Sequence, residues 1–196
     1  MLFPDDLAPF LLSGDMAVIP TDTLYGIVCC ADSPKAVEKL YRIRERDESK
    51  PCIILISDEG ELRRFGIKLS VSQKQALKRL WPGKVSVVFD CPPKASDILT
   101  YLHRRTNTLA FRVPGDRNLR TFLKKSGPLL APSANKEGKE PAQTIEEAKE
   151  SFGESVGFYV DGGRLDSLSS TIVRLRSDSW EVLREGAVTL APLPIV

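Results

Sequence analysis

Short apolar runs, each stopped by proline, glycine or hydroxyl-bearing residues, constrain this chain more than any other feature. Residues 16–19 stop at Pro20, residues 26–30 lead to Ser33-Pro34, residues 52–56 follow Pro51, and residues 109–113 close at Pro114-Gly115. Such runs are strand-sized and too short for buried helices. Val85, Val87 and Phe89 alternate with Lys84, Ser86 and Val88, which predicts another strand. Helix signals lie between. Ser33-Pro34 pairs an N-cap with a proline at the first helical position. Ser70-x-x-Gln73 is a capping-box pattern, and Thr144-x-x-Glu147 opens a later helix. Helices are also predicted over 4–13, 58–65 and 118–125, and 91–107 reads as irregular. A short strand at Leu129-Leu130 runs into a polar loop over 132–143, a length typical of functional loops. Late in the chain, 156–160, 171–175 and 180–183 read as strands, separated by Gly162-Gly163 and a turn at Ser177-Asp178-Ser179.

Helices and strands alternate early, and strands follow one another late. The pattern predicts an α/β fold: a single domain over 1–196 with a twisted, mixed parallel/antiparallel open sheet flanked by helices. No GxGxxG follows a strand and no P-loop exists, so neither a Rossmann nor a P-loop fold is expected.

Four cysteines and one histidine occur without CxxC or zinc-site spacing, so no protein metal site is expected. The N-terminus carries Asp5 and Asp6 and no basic n-region, and no run approaches the ~20 apolar residues of a membrane helix. A cytoplasmic protein without membrane contact is expected. Net charge is only +2, yet residues 63–125 hold 15 Lys/Arg against 3 Asp/Glu. A cationic middle attracts nucleotides or nucleic acid.

Polar residues stand in or directly after the apolar runs at four places: Thr21-Asp22-Thr23, Arg112, Ser133-Ala134-Asn135 and Ser169-Ser170-Thr171. Ligands of open α/β sheets sit at strand ends, although Thr, Ser and Asn also satisfy turn backbones. Arg42, Arg44, Arg46 and Lys50 cluster after the first capped helix, among Glu45, Asp47 and Glu48. They read either as a solvated, self-paired helix end or as a site where Arg46 and Lys50 clamp phosphates. His103 lies in a basic segment with no GxSxG elbow anywhere, so a serine triad is not expected.

Taken in order, these segments resemble the YrdC family of threonylcarbamoyl-AMP synthases. Pro20-Thr21-Asp22-Thr23-Leu24-Tyr25-Gly26 is similar to its PTDTxYGL signature, and Arg44-x-Arg46-x-x-x-Lys50-Pro51 to its KxRxxxKP motif. Trp81-Pro82-Gly83, Arg112-Val113-Pro114, Pro132-Ser133-Ala134-Asn135, Ser170-Thr171-Ile172-Val173 and Arg184-Glu185-Gly186 follow in the family's order. The resemblance covers roughly residues 16–186. It implies that L-threonine, bicarbonate and ATP, with Mg2+ on the triphosphate, give threonylcarbamoyl-adenylate and pyrophosphate. A downstream transferase complex then passes the carbamoyl group to the tRNA adenosine beside the anticodon. Carried over by position, it implies that Thr23, Arg112, Ser133 and Ser170 hold threonine, with Arg112 on its carboxylate. Arg46, Lys50, Thr108, Asn135, Thr144 and Arg184 would hold ATP. No side chain is expected as acid or base, and catalysis would be positioning by Arg46 and Lys50.

The chain departs from the family at Arg44, where lysine is usual, at Leu55, where some members carry histidine, and over 136–143, where the usual serines are missing. A rival expectation is a tRNA- or double-stranded-RNA-binding protein. It would use Arg63, Arg64, Lys78, Arg79, Arg104, Arg105, Lys124 and Lys125 on a concave sheet face.

Overall fold

Local signals seed the helices. Ser33 accepts a hydrogen bond from the Ala36 amide and opens α2 (Pro34–Ile43), with Pro34 at its start. Ser70 and Gln73 form the reciprocal capping box of α3 (Val71–Leu80). Asp116 caps α6 (Arg117–Ser126), and Thr144 caps α7 (Ile145–Phe152). The remaining helices are short: α1 (Leu7–Leu12), α4 (Pro93–Ser96) and α5 (Thr100–His103), with a 3₁₀ turn at Glu59–Phe65. The computed structural model describes residues 2–176 and 179–191. The first two positions of the turn at Ser177-Asp178-Ser179 lie outside the described residues.

The strands are β1 (Met16–Pro20), β2 (Tyr25–Cys30), β3 (Ile53–Leu55), β4 (Val85–Asp90), β5 (Thr108–Arg112), β6 (Leu129–Leu130), β7 (Phe158–Tyr159), β8 (Thr171–Leu175) and β9 (Trp180–Arg184). They form one sheet in the order β7-β1-β2-β6-β3-β5-β4-β8-β9. The pairs β1–β7, β3–β5 and β4–β8 are parallel, and the other five are antiparallel. The sheet is therefore mixed, as expected.

Three expectations are corrected. Residues 91–107 are not irregular throughout, because they hold α4 and α5, single turns too short to show a helical period. The first helix starts at Leu7 rather than residue 4. The strand expected over 156–160 pairs only at Phe158–Tyr159, against β1.

Two cores lie on opposite faces. The larger one packs Val37, Leu40 and Tyr41 of α2, Leu77 and Leu80 of α3, and Ile145 and Phe152 of α7. These meet Ile27, Ile54, Phe111, Val87 and Val173 of the sheet. The smaller one packs Leu7 and Leu11 of α1 and Leu119, Phe122 and Leu123 of α6 on Ala17, Ile19, Val28, Leu129 and Leu55. That second helical layer covers β1, β2, β6 and β3 only. On the same face, residues of β5 and β8 such as Ala110 and Ile172 remain half-buried. This partly open floor is where the cleft forms.

Candidate active site

A cleft of about 180 Å³ opens beside the floor. Its walls come from segments far apart in sequence: Thr21 and Thr23, Arg46, Cys52 and Ile53, Arg112, Pro132 and Ser133, Ser169 and Ser170, and Arg184. The polar strand ends singled out by the sequence converge here.

Arg112, at the end of β5, is buried to 4% exposure. Its Nη1 donates to Asp22 Oδ1 at 2.8 Å, and the other Asp22 oxygen accepts from the Gly115 amide at 2.7 Å. Nη2 reaches Thr21 Oγ1 at 3.4 Å, and Nε has no partner. Burial pulls the guanidinium below its ordinary pKa, and Asp22 pushes it back up. Asp22 therefore fixes the guanidinium plane. The aspartate was legible as one of a polar trio, but its role as an orienter 90 residues from its partner was not.

The hydroxyls are held by one another. Thr21 Oγ1 and Thr23 Oγ1 are 3.0 Å apart, and Thr21 Oγ1 also donates to the Leu24 carbonyl at 2.7 Å. Ser170 Oγ lies 2.8 Å from Ser86 Oγ, a buried partner on β4 that the sequence did not mark for the site. Ser133 Oγ donates to Asn135 Oδ1 at 2.6 Å. Gly26 bridges to Ser133, and a Cβ there would meet the Pro132 oxygen at 3.4 Å.

Arg184 donates from Nη2 to the Ser170 carbonyl at 2.8 Å. Two residues on, Gly186 lies so close that a Cβ would overlap the Ser169 carbonyl oxygen and sit 2.8 Å from the Ser170 carbonyl carbon. Gly186→Ala is expected to push Ser170 out of the cleft and to destabilise the fold by about 1–3 kcal/mol, an overpacking penalty. Thermal denaturation of the variant checks it; an unchanged midpoint would contradict the packing argument.

The basic cluster divides. Arg42 is exposed, whereas Arg44 is among the largest fully buried side chains, at 2% exposure. Its Nε donates to the Asn135 carbonyl at 2.8 Å and its Nη2 to Asn135 Oδ1 at 3.1 Å. Burial, helped by Arg46, lowers its pKa to about 10. Arg46 lines the cleft and braces its own loop, donating from Nε to the Lys50 carbonyl at 3.1 Å and from Nη2 to the Pro51 carbonyl at 3.3 Å. Tyr41 Oη donates to the same Lys50 carbonyl at 2.9 Å. Lys50 Nζ is exposed and pairs with Glu137 Oε1 at 2.5 Å.

Of the residues expected at the site, Thr23, Arg112, Ser133, Ser170, Arg46 and Arg184 line one cleft. Lys50, Thr108, Asn135 and Thr144 do not. Thr108 shares the cleft-side face of β5 with Ala110 and Arg112, but four residues along, on the order of 13 Å away. Asn135 is saturated. Its Oδ1 accepts from Arg44 and Ser133, and its Nδ2 donates to the carbonyls of Lys136 and Lys139, each at 2.8 Å. Thr144 accepts from the Glu147 amide as the cap of α7. Leu55 is fully buried in the smaller core and pairs with Arg112. His103 is buried, its ring bonded to the Ser96 carbonyl and the Arg105 amide, outside the cleft.

The basic residues of the middle do not form one concave RNA surface. Lys78 and Arg79 belong to α3 and Lys124 and Lys125 to α6, which pack on opposite faces of the sheet. Arg104 stacks on the Tyr41 ring 3.8 Å from its centroid and pairs with Glu38, while Arg64 pairs with Asp32 and Lys125 with Asp5. Among the described residues, no cluster of three or more His, Cys, Asp or Glu side chains could hold a metal ion. No described helix is long and apolar enough to cross a membrane.

A family model for Sua5/YciO/YrdC, described as telomere recombination, matches residues 9–186. A putative threonylcarbamoyl-AMP synthase of Methanocaldococcus jannaschii is 29% identical over 184 residues, covering 93% of this chain and 85% of the relative. A threonylcarbamoyl-AMP synthase of Bacillus subtilis is likewise 29% identical over 93% of this chain, but over 53% of its own length. The crystal structure of P. abyssi Sua5 complexed with L-threonine is 26% identical with a TM-score of 0.81, covering 92% of this chain and 53% of that one. The chain thus spans about half the length of the latter two relatives. The matched model runs through every wall of the cleft, and the chain belongs to the Sua5/YciO/YrdC family.

Proposed function

We propose that this chain is a threonylcarbamoyl-AMP synthase, making threonylcarbamoyl-adenylate and pyrophosphate from L-threonine, bicarbonate and ATP. One observation carries the reading: a single cleft collects Thr23, Arg112, Ser133 and Ser170 together with Arg46 and Arg184. A fixed, buried guanidinium among hydroxyls suits an amino acid with a carboxylate and a hydroxyl side chain. Arg46 and Arg184 at the rim, with Lys50 on the adjoining loop, suit phosphates.

The chemistry asks little of protein acids and bases. The threonine amine condenses with bicarbonate, forming an N–C bond and releasing water. A carbamate oxygen then attacks the α-phosphorus, and pyrophosphate leaves. The chain's contribution is to align carbamate and phosphate and to neutralise charge as pyrophosphate departs. Arg46 and Lys50 do the latter. Magnesium arrives on the triphosphate as part of the substrate. Thr108 extends the site only if the nucleotide lies along β5, and Thr144 only if the loop before α7 moves. Asn135 acts through Ser133 and its own loop, since its side chain has no free hydrogen-bonding capacity. The product, a mixed anhydride, is consumed in the cytoplasm by a transferase complex that acts on the tRNA adenosine beside the anticodon, with weak tRNA contact from this chain.

Pyrophosphate release from ATP is expected to require both threonine and bicarbonate. Release that continues at the same rate without threonine would overturn the proposal.

A further inference from the structure

Residues 136–143, where the sequence departs from the family's usual pattern, are tied down at the expected phosphate site. The Glu137 amide donates to the Arg44 carbonyl at 2.9 Å. The Glu137 side chain spans two donors: Oε1 accepts from Lys50 Nζ and Oε2 from the Asp47 amide, both at 2.5 Å. Beside it, Lys136 Nζ meets Glu45 Oε1 at 2.6 Å, and Glu45 sits at φ 52, in left-handed backbone that few non-glycine residues adopt. An ammonium and a backbone amide converging on one anionic group is how proteins bind phosphate oxygens.

We propose that Glu137 is a latch, its carboxylate occupying Lys50 and the Asp47 amide as a phosphate surrogate that an incoming nucleoside triphosphate must displace. The inference rests on the reading of Lys50 as a phosphate ligand. The single Asp47 N–H cannot serve both groups, and a carboxylate left in place would face several negative charges at contact distance. Displacement is cheap. The Lys50 and Glu137 side chains are 56% and 25% exposed, and exposed ion pairs are weak. The buried bonds from Arg44 to Asn135, and those from Asn135 Nδ2 to the Lys136 and Lys139 carbonyls, lie behind the latch and need not break, so only the Glu137 side chain swings away while the loop backbone and Ser133 stay in place.

The latch makes Glu137 a brake on nucleotide binding, whereas a merely structural ion pair would help to order the loop. Equilibrium binding of ATP and of adenosine to the full chain separates these. Glu137→Gln is expected to tighten ATP binding roughly twofold to tenfold, the scale of an exposed ion pair, and to leave adenosine and threonine binding unchanged. In a Lys50→Ala background the same substitution is expected to change ATP binding by a smaller factor. Lys50→Ala alone tests the underlying reading. If it leaves ATP affinity at the wild-type value, the assignment of Lys50 to phosphate fails. If it weakens ATP binding while Glu137→Gln leaves ATP affinity unchanged or lowered, the latch alone fails. Glu137→Ala removes the carboxylate by a second route and is expected to move ATP affinity in the same direction.

Discussion

Arg112→Gln is expected to lower kcat/KM for threonine by roughly 10²- to 10³-fold and to destabilise the fold by about 3–5 kcal/mol. The first figure is the loss of a buried guanidinium facing a substrate carboxylate. The second follows from Asp22. The two side chains are only 5% and 11% exposed, and removing one member of a buried pair strands the other's charge. Against a total stability of about 5–15 kcal/mol, that second loss is large, so Arg112→Lys supplies the cleaner test. It keeps the charge and loses the planar fork. Its KM for threonine is expected to rise by about tenfold or more, while ATP affinity stays at the wild-type value. A wild-type threonine KM in a folded Arg112→Lys variant would remove Arg112 from the amino acid site. Asp22→Asn leaves the guanidinium in place but unbraced, and is expected to act in the same direction with a smaller effect.

Arg46→Ala and Lys50→Ala together are expected to weaken ATP binding by about 10- to 100-fold while the protein stays folded. Each charge-assisted bond to phosphate contributes about 1.5–3 kcal/mol, and part of that is recovered from the solvent at so exposed a place. Lys50 projects from an exposed loop, so its loss should barely move the denaturation midpoint. Arg46 also braces the carbonyls of Lys50 and Pro51, so its loss costs the loop two hydrogen bonds as well. Titration of ATP against the folded double variant checks the binding. Wild-type ATP affinity would show that the cluster is only a solvated helix end. Unfolding would show that its bracing role dominates.

These effects trace back unevenly to the sequence. Local signals carried through: Ser33-Pro34, Ser70 with Gln73, and Thr144 all start helices where their caps and proline require. The apolar runs became strands because nothing else in them could be buried so economically. What could not be read was long-range. Leu129-Leu130 slips between β2 and β3, joining the hairpin β1–β2 to the rest of the sheet, and a two-residue strand has no period to announce its partners. Arg44 and Arg46 look alike in the sequence. The helix ends at Ile43 and the chain turns through left-handed backbone at Glu45, which sends Arg44 inward to Asn135 and leaves Arg46 at the cleft. Thr108 was assigned to ATP only through the family resemblance, and four residues of extended chain separate it from Arg112. Asp22 and Ser86 went unassigned because their work is done on Arg112 and Ser170, which lie 90 and 84 residues away. The Glu137 contact with Lys50, 87 residues apart, stayed hidden for the same reason.

In the proposed reaction one cleft joins threonine, bicarbonate and ATP. Mass spectrometry of the product formed from ATP, bicarbonate and isotope-labelled threonine tests this. The expected result is an adenylate that carries the threonine label and one carbon from bicarbonate, formed together with pyrophosphate. An adenylate without the bicarbonate carbon, or ATP hydrolysed with no labelled adenylate, would contradict it.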